Sequence, residues 1–125
     1  MNQILNFYRQ QSPLSNPGKY AFLYDDLPDA PEELTRAINN VIIHKYAADD
    51  RLQLSSEQRR EKYLRTMQQR LEGIYAIDHR SLLAERSDKE QQIAYCRDFA
   101  LFMISILRHK GIPARVRVGF ENYFI

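Results

Sequence analysis

The sequence predicts a mainly helical domain of about five helices that ends in one strand. Three observations carry this reading. Apolar residues recur at helical spacing over most of the chain, prolines and glycines fall between those stretches, and apolar/polar alternation appears convincingly only once, in "ARVRVGF" at residues 114–120. A length of 125 residues suits one domain able to bury a core.

Taken in order, Asn2 to Gln11 carries Ile4, Leu5 and Tyr8 at helical spacing, and "SPLSNPG" ends it. "KYAFLYDDLP" fits either a helical turn or a short strand. "DAPEELTRAINNVIIHKY" reads as one helix, with Asp29 as cap, Pro31 in the first turn and Glu32 and Glu33 where the helix dipole favours anions. Leu34, Ala37, Ile38, Val41 and Ile42 form its apolar stripe. The next helix is expected from Ser55 or Ser56 to about Glu72, with Tyr63, Leu64, Met67 and Leu71 inward. "IDHRSLLAER" reads as a short helix capped by Asp78. From Tyr95 to Lys110 apolar residues appear almost all round, which predicts a central, buried helix. Arg108, His109 and Lys110 suit its last turn and Gly111 its termination. The strand at 114–120 stands alone, and an unpaired strand needs partners from later residues or another chain.

Charge and composition exclude several classes. Residues 51–70 hold six basic and two acidic side chains, but no nucleic-acid-reading motif accompanies them, so a solvated helix face is the expectation and no nucleic acid is expected as partner. No stretch approaches a membrane span of ~20 apolar residues, and "MNQILNFYRQQ" lacks the basic start and apolar run of a secretory signal. A single cysteine permits no intramolecular disulfide, and three scattered histidines make no metal signature; a cytoplasmic protein without cofactors is expected.

That single cysteine, Cys96 in "AYCRDFA", opens the most apolar predicted helix. The unpaired amides of a first turn favour thiolate over thiol, Arg97 adds positive charge, and Asp98 partly offsets it or serves the helix start as a cap-region carboxylate. A thiolate is a nucleophile, and acyl transfer by it also needs an imidazole to carry the proton. None of the three histidines is an evident partner. His109 lies about 20 Å along the same helix from Cys96. His44 falls just off the apolar face near a helix end and His79 beside the cap at Asp78; position excludes neither as a partner, and a structural role is the expectation for both.

The run "CRDFALFMISILRHKGIPARVRVGFENYF" resembles the core motif of the transglutaminase-like superfamily: a Cys at a helix start, a small Ala in the next turn, "LR", "GIPAR", and a strand entering "GF". "LTRAINNVIIHKYA" and the arginine-rich helix after it are similar to the helical N-terminal part of bacterial members, so the likeness spans roughly residues 30 to 124. The resemblance implies a fragment of an α+β papain-like fold with Cys96 as catalytic nucleophile for amide or acyl transfer or hydrolysis. It implies a catalytic His on the strand after "GF" and an Asp on the next. Residues 1–125 are therefore expected to be a single domain, the N-terminal part of a transglutaminase-like domain truncated before those strands and inactive by itself. Neither His44 nor His79 matches the family motif. Arg115 is expected to anchor a turn or pair with a carboxylate, and Tyr123 and Phe124 to be core or interface aromatics. The peptide or amide substrate is not legible. The rival expectation is a non-catalytic interaction module, whose strand 114–120 pairs with a second copy or with a C-terminal half.

Overall fold

A computed structural model of the chain describes residues 3–115. Among them are six α-helices and two short strands, so the mainly helical expectation holds and the strands are an addition to it. Helix α1 spans Gln3–Arg9 and stops before the prolines. "KYAFLY" takes the helical alternative, as a 3-10 stretch over Gly18–Tyr24 that buries Leu23 and Tyr24.

Helix α2 spans Pro31–Val41 and buries Leu34, Ala37, Ile38 and Val41, the expected stripe. Two details differ from expectation. Ala30, not Asp29, occupies the cap position, while Asp29 accepts a hydrogen bond from Lys110 Nζ at 2.8 Å. The helix also ends at Val41 rather than continuing through His44, because Ile42–His44 forms strand β1. Three consecutive β-branched residues, Val41, Ile42 and Ile43, favour extended backbone over a further helical turn.

Helix α3, Lys45–Arg51, follows β1 without a loop. The predicted 55–72 helix is two: α4 over Ser56–Arg60 and α5 over Met67–Ile77. Each starts with a reciprocal capping box, Ser55 with Gln58 and Thr66 with Gln69. Between them the backbone is extended at Leu64.

The helix expected around residues 78–86 is absent. Asp78 instead follows the last turn of α5, and its carboxylate pairs with Arg80 at 2.6 Å. The buried Arg86 donates to the carbonyls of Ile74, Asp78 and Arg80, tying the loop after α5 to the end of that helix. Strand β2, Gln92–Ala94, then leads directly into α6, Cys96–His109. Gly111 ends that helix with φ of +81°.

Strands β1 and β2 pair in parallel, with Ile42 opposite Gln92, Ile43 opposite Ile93 and His44 opposite Ala94. The core lies between α2, α5, α6 and the 3-10 stretch, around Leu34, Ile38, Leu71, Ile74, Phe102 and Ile106. A polar tie crosses it: Tyr24 Oη lies 2.8 Å from Ser105 Oγ, which donates to the Ser15 carbonyl at 2.5 Å.

Helix α6 is not buried on all sides among the described residues. Phe102, Ser105 and Ile106 face the core, Phe99, Met103 and Leu107 are half-buried, and Cys96 and Ala100 are exposed. In the predicted 114–120 strand, Ala114 and Arg115 are irregular and residues 116–120 lie outside the described residues, as do Tyr123 and Phe124.

Candidate functional site around Cys96

The parallel pairing decides which side chains meet. Both strands end at the same edge of the sheet and each passes straight into a helix. His44, the last residue of β1, is the N-cap of α3; Tyr95, after β2, is the N-cap of α6. The register sets His44 beside Ala94, two residues before Cys96. Open parallel sheets place ligand sites at the carboxyl ends of their strands for this reason.

Cys96 is exposed at the first position of α6. Its Sγ lies 3.3 Å from His44 Nε2. This corrects the reading of His44 as a structural residue off a helix face: the chain is already a strand at residue 44, and the strand carries the ring to the thiol. The ring is held from several sides. Its Nδ1 accepts a hydrogen bond from the Tyr46 backbone N–H at 3.2 Å. It stacks at 19° to Phe99, meets Tyr95 edge-on at 87°, and tilts against Tyr46 with centroids 5.1 Å apart.

The other histidines stand elsewhere. His79 stacks on Tyr75 with centroids 4.4 Å apart. His109 sits 3.8 Å from Asp25 at the far end of α6. Among the described residues Arg115 pairs with no carboxylate; its guanidinium lies over the Tyr8 ring, 5.5 Å from the centroid.

Beneath Cys96 lies a buried polar network absent from the sequence reading. Arg70, fully buried on α5, donates through Nη2 to Asp98 Oδ2 at 2.8 Å. Its Nη1 donates to Gln92 Oε1 at 2.9 Å and to the Ile93 carbonyl at 3.1 Å. Gln92 returns a bond from Nε2 to the Arg70 carbonyl at 3.0 Å. Asp98 Oδ2 also accepts from the Tyr95 N–H at 2.8 Å, which fixes the start of α6. Glu61 Oε1 accepts from the Ile93 N–H at 3.1 Å, the donor on the outer edge of β2.

One buried guanidinium thus ties α5, β2 and the first turn of α6 together, and so fixes where Cys96 stands. Burial lowers the proton affinity of Arg70 from its ordinary value, and Asp98 opposes that shift. Burial raises the Glu61 carboxyl, opposed by the Ile93 hydrogen bond and by Arg70. Only one faint signal in the sequence marks this network: Asp98 stands three residues after a helix-start position, where a carboxylate can close on the cap.

Two clefts include chain neighbours of the site residues in their walls, though Cys96 and His44 line neither. One of about 670 Å³ is lined by Lys45, Asp49, Leu52, Gln53, Leu54, Arg59 and Ile93; another of about 230 Å³ is lined by Leu14, Arg65, Arg97, Asp98 and Leu101. Among the described residues no cluster of His, Cys, Asp and Glu could hold a metal ion, and no helix is long and apolar enough to cross a membrane.

An exposed thiol at a helix start, with an imidazole nitrogen in contact and a rigid polar support, can attack an electrophilic carbonyl. The family model for the transglutaminase-like superfamily matches residues 21–123. No curated protein and no solved structure matches the chain. A family match over far more than half of the chain, together with a thiol-bearing helix that follows a short strand, means that this chain belongs to the transglutaminase-like superfamily.

Proposed function

We propose that Cys96 is the nucleophile of an acyl-transfer or amide-hydrolysing reaction. The thiolate adds to the carbonyl carbon of the donor, and the π electron pair moves onto oxygen. Collapse of that adduct breaks the bond to the leaving amine, which departs with a proton from a general acid and leaves a thioester on Sγ. Water or a second amine then attacks the thioester and regenerates the thiol. The observation that carries this reading is the contact of the exposed Sγ with His44 Nε2 at 3.3 Å, at the first turn of a helix.

The test uses an activated ester, because p-nitrophenolate departs without a general acid. The folded protein is mixed with p-nitrophenyl acetate, and the product is followed by absorbance and intact mass. Acetylation confined to the Cys96 peptide is expected, at least about tenfold faster than for the same chain in denaturant, given what a fixed donor contributes. Cys96→Ala should abolish the adduct. Equal rates for the folded and unfolded thiol would overturn the proposal.

A further inference from the structure

Resting on Cys96 as the nucleophile, we infer that His44 serves the reaction as a fixed N–H donor and not as its base. The nitrogen facing away from the thiol decides the role. Nδ1 of His44 accepts from the Tyr46 backbone N–H at 3.2 Å. An accepting nitrogen carries a lone pair, so the neutral ring bears its proton on Nε2. The contact with Cys96 at 3.3 Å is then an Nε2–H donating to sulfur.

A base would need the opposite arrangement. To take the thiol proton, Nε2 must offer a lone pair, and the ring proton must move to Nδ1. There it would face the Tyr46 N–H, donor against donor at 3.2 Å. An imidazolium meets the same conflict. Rotation of the ring does not relieve it: a half-turn about the Cβ–Cγ bond sets Cδ2–H toward the Tyr46 N–H and Cε1–H toward the sulfur, so no lone pair then faces the thiol. The Tyr46 N–H itself is an orphan donor of the first turn of α3, and His44 is the side chain that satisfies it.

A donor in this place has a function. When Sγ bonds to a carbonyl carbon, negative charge gathers on an oxygen one bond away, within reach of a group already touching the sulfur. Fixed donors at ~2.7–3.1 Å from that oxygen are the ones that lower the barrier. The ring is oriented before the substrate arrives, so no reorganisation is needed at the moment of attack. In the ester reaction above, the sulfur pair forms the S–C bond, the C=O pair moves to oxygen and is held by Nε2–H, and collapse expels p-nitrophenolate. The thiol proton leaves to a buffer base before attack.

Two measurements test this. The first reads the tautomer on the wild-type protein by long-range ¹⁵N–¹H correlation at about pH 8.5, where an imidazole is neutral. Nδ1 is expected in the lone-pair range and Nε2 in the protonated range; the reverse overturns the inference, whatever Cys96 proves to do. The second reads the rate constant for single-turnover acetylation. Removing such a donor costs ~10²–10³-fold in enclosed sites, and an exposed thiol places His44→Ala near the lower end, about 10- to 100-fold slower. His44→Gln, which restores an uncharged N–H near the place of Nε2, should recover a large part of that loss. Both variants equally slow, with circular dichroism unchanged, would assign His44 the role of base. If the wild type does not acetylate, the nucleophile assignment fails and the donor role falls with it; acetylation with the reversed tautomer overturns the donor inference alone.

Discussion

Removal of the negative charge from Asp98 should be the most damaging single-atom change near the site. Asp98→Asn keeps an oxygen that can accept from the Tyr95 N–H, so the start of α6 retains its cap. What is lost is the counter-charge at 2.8 Å from a fully buried guanidinium. Breaking a buried pair from one side costs ~3–5 kcal/mol, because the remaining ion stays in a medium that solvates it poorly. A domain of this size is stable by roughly 6–19 kcal/mol, so the variant forfeits a substantial fraction. At ~4 °C per kcal/mol for such a chain, the expected fall in Tm is about 12–20 °C.

The partner change separates this mechanism from simple loss of packing. Arg70→Met alone leaves Asp98 buried without its counter-charge and the Gln92 side-chain oxygen without its donor, and should cost a similar amount. Arg70→Met with Asp98→Asn removes both charges. It should be at least 2 kcal/mol more stable than the sum of the single losses implies, roughly the coupling expected of contacting, charged partners. Urea unfolding followed by circular dichroism gives all four corners of the cycle at unchanged m-value. An Asp98→Asn cost below about 1 kcal/mol, or strict additivity, would refute the reasoning, since surface pairs behave that way.

Three further outcomes are expected. Ser105→Ala strands both the Tyr24 hydroxyl and the Ser15 carbonyl and should cost ~1–3 kcal/mol, more than Tyr24→Phe at ~0.5–1.5 kcal/mol; the order is checked by thermal melts, and the reverse order would show that Ser105 is not the hub of that tie. Gly111→Ala places a side chain at φ +81° with no heavy atom within 4 Å to clash or pack, so it should cost about 1–2 kcal/mol of pure backbone strain. Glu61→Gln concerns pH. The folded protein holds the Glu61 proton more tightly than the unfolded chain, whose ordinary value is 4.5, so wild-type stability should fall as pH rises from that value through the raised folded one. The amide can still accept from the Ile93 N–H, and a urea-midpoint profile should therefore lose that decline in Glu61→Gln. An unchanged profile would count against it.

The elements that the sequence made legible are those whose signals are local. The stripe on α2, the glycine stop after α6 and the position of Cys96 at a helix start each follow from spacing within a few residues. Thr66 and Gln69 also formed a local signal, a second capping box, which marks a helix start inside what periodicity alone joins into one helix. The two strands were illegible for a different reason. Parallel strands buried on both faces show no alternation, and "IIH" and "QIA" are too short to separate from neighbouring helix. The position of His44 depends on that pairing, so its meeting with Cys96 could not be read from residues 52 positions apart. Arg70 gave no sign of burial either, since the arginines before it, Arg51, Arg59, Arg60 and Arg65, are exposed.

The parallel register between β1 and β2 also sets the order of events in folding. Each strand contributes three residues, and the connection between them contains α3, α4, α5 and the loop held by Arg86. Two three-residue strands cannot close so long a connection by their own hydrogen bonds; loop closure is compensated only after the intervening helices have condensed on the core. The thiol and the imidazole are therefore strangers in any partly folded chain. A short alkylation pulse during refolding should find Cys96 behaving as an ordinary cysteine until late, and its change of reactivity would time the moment the sheet closes.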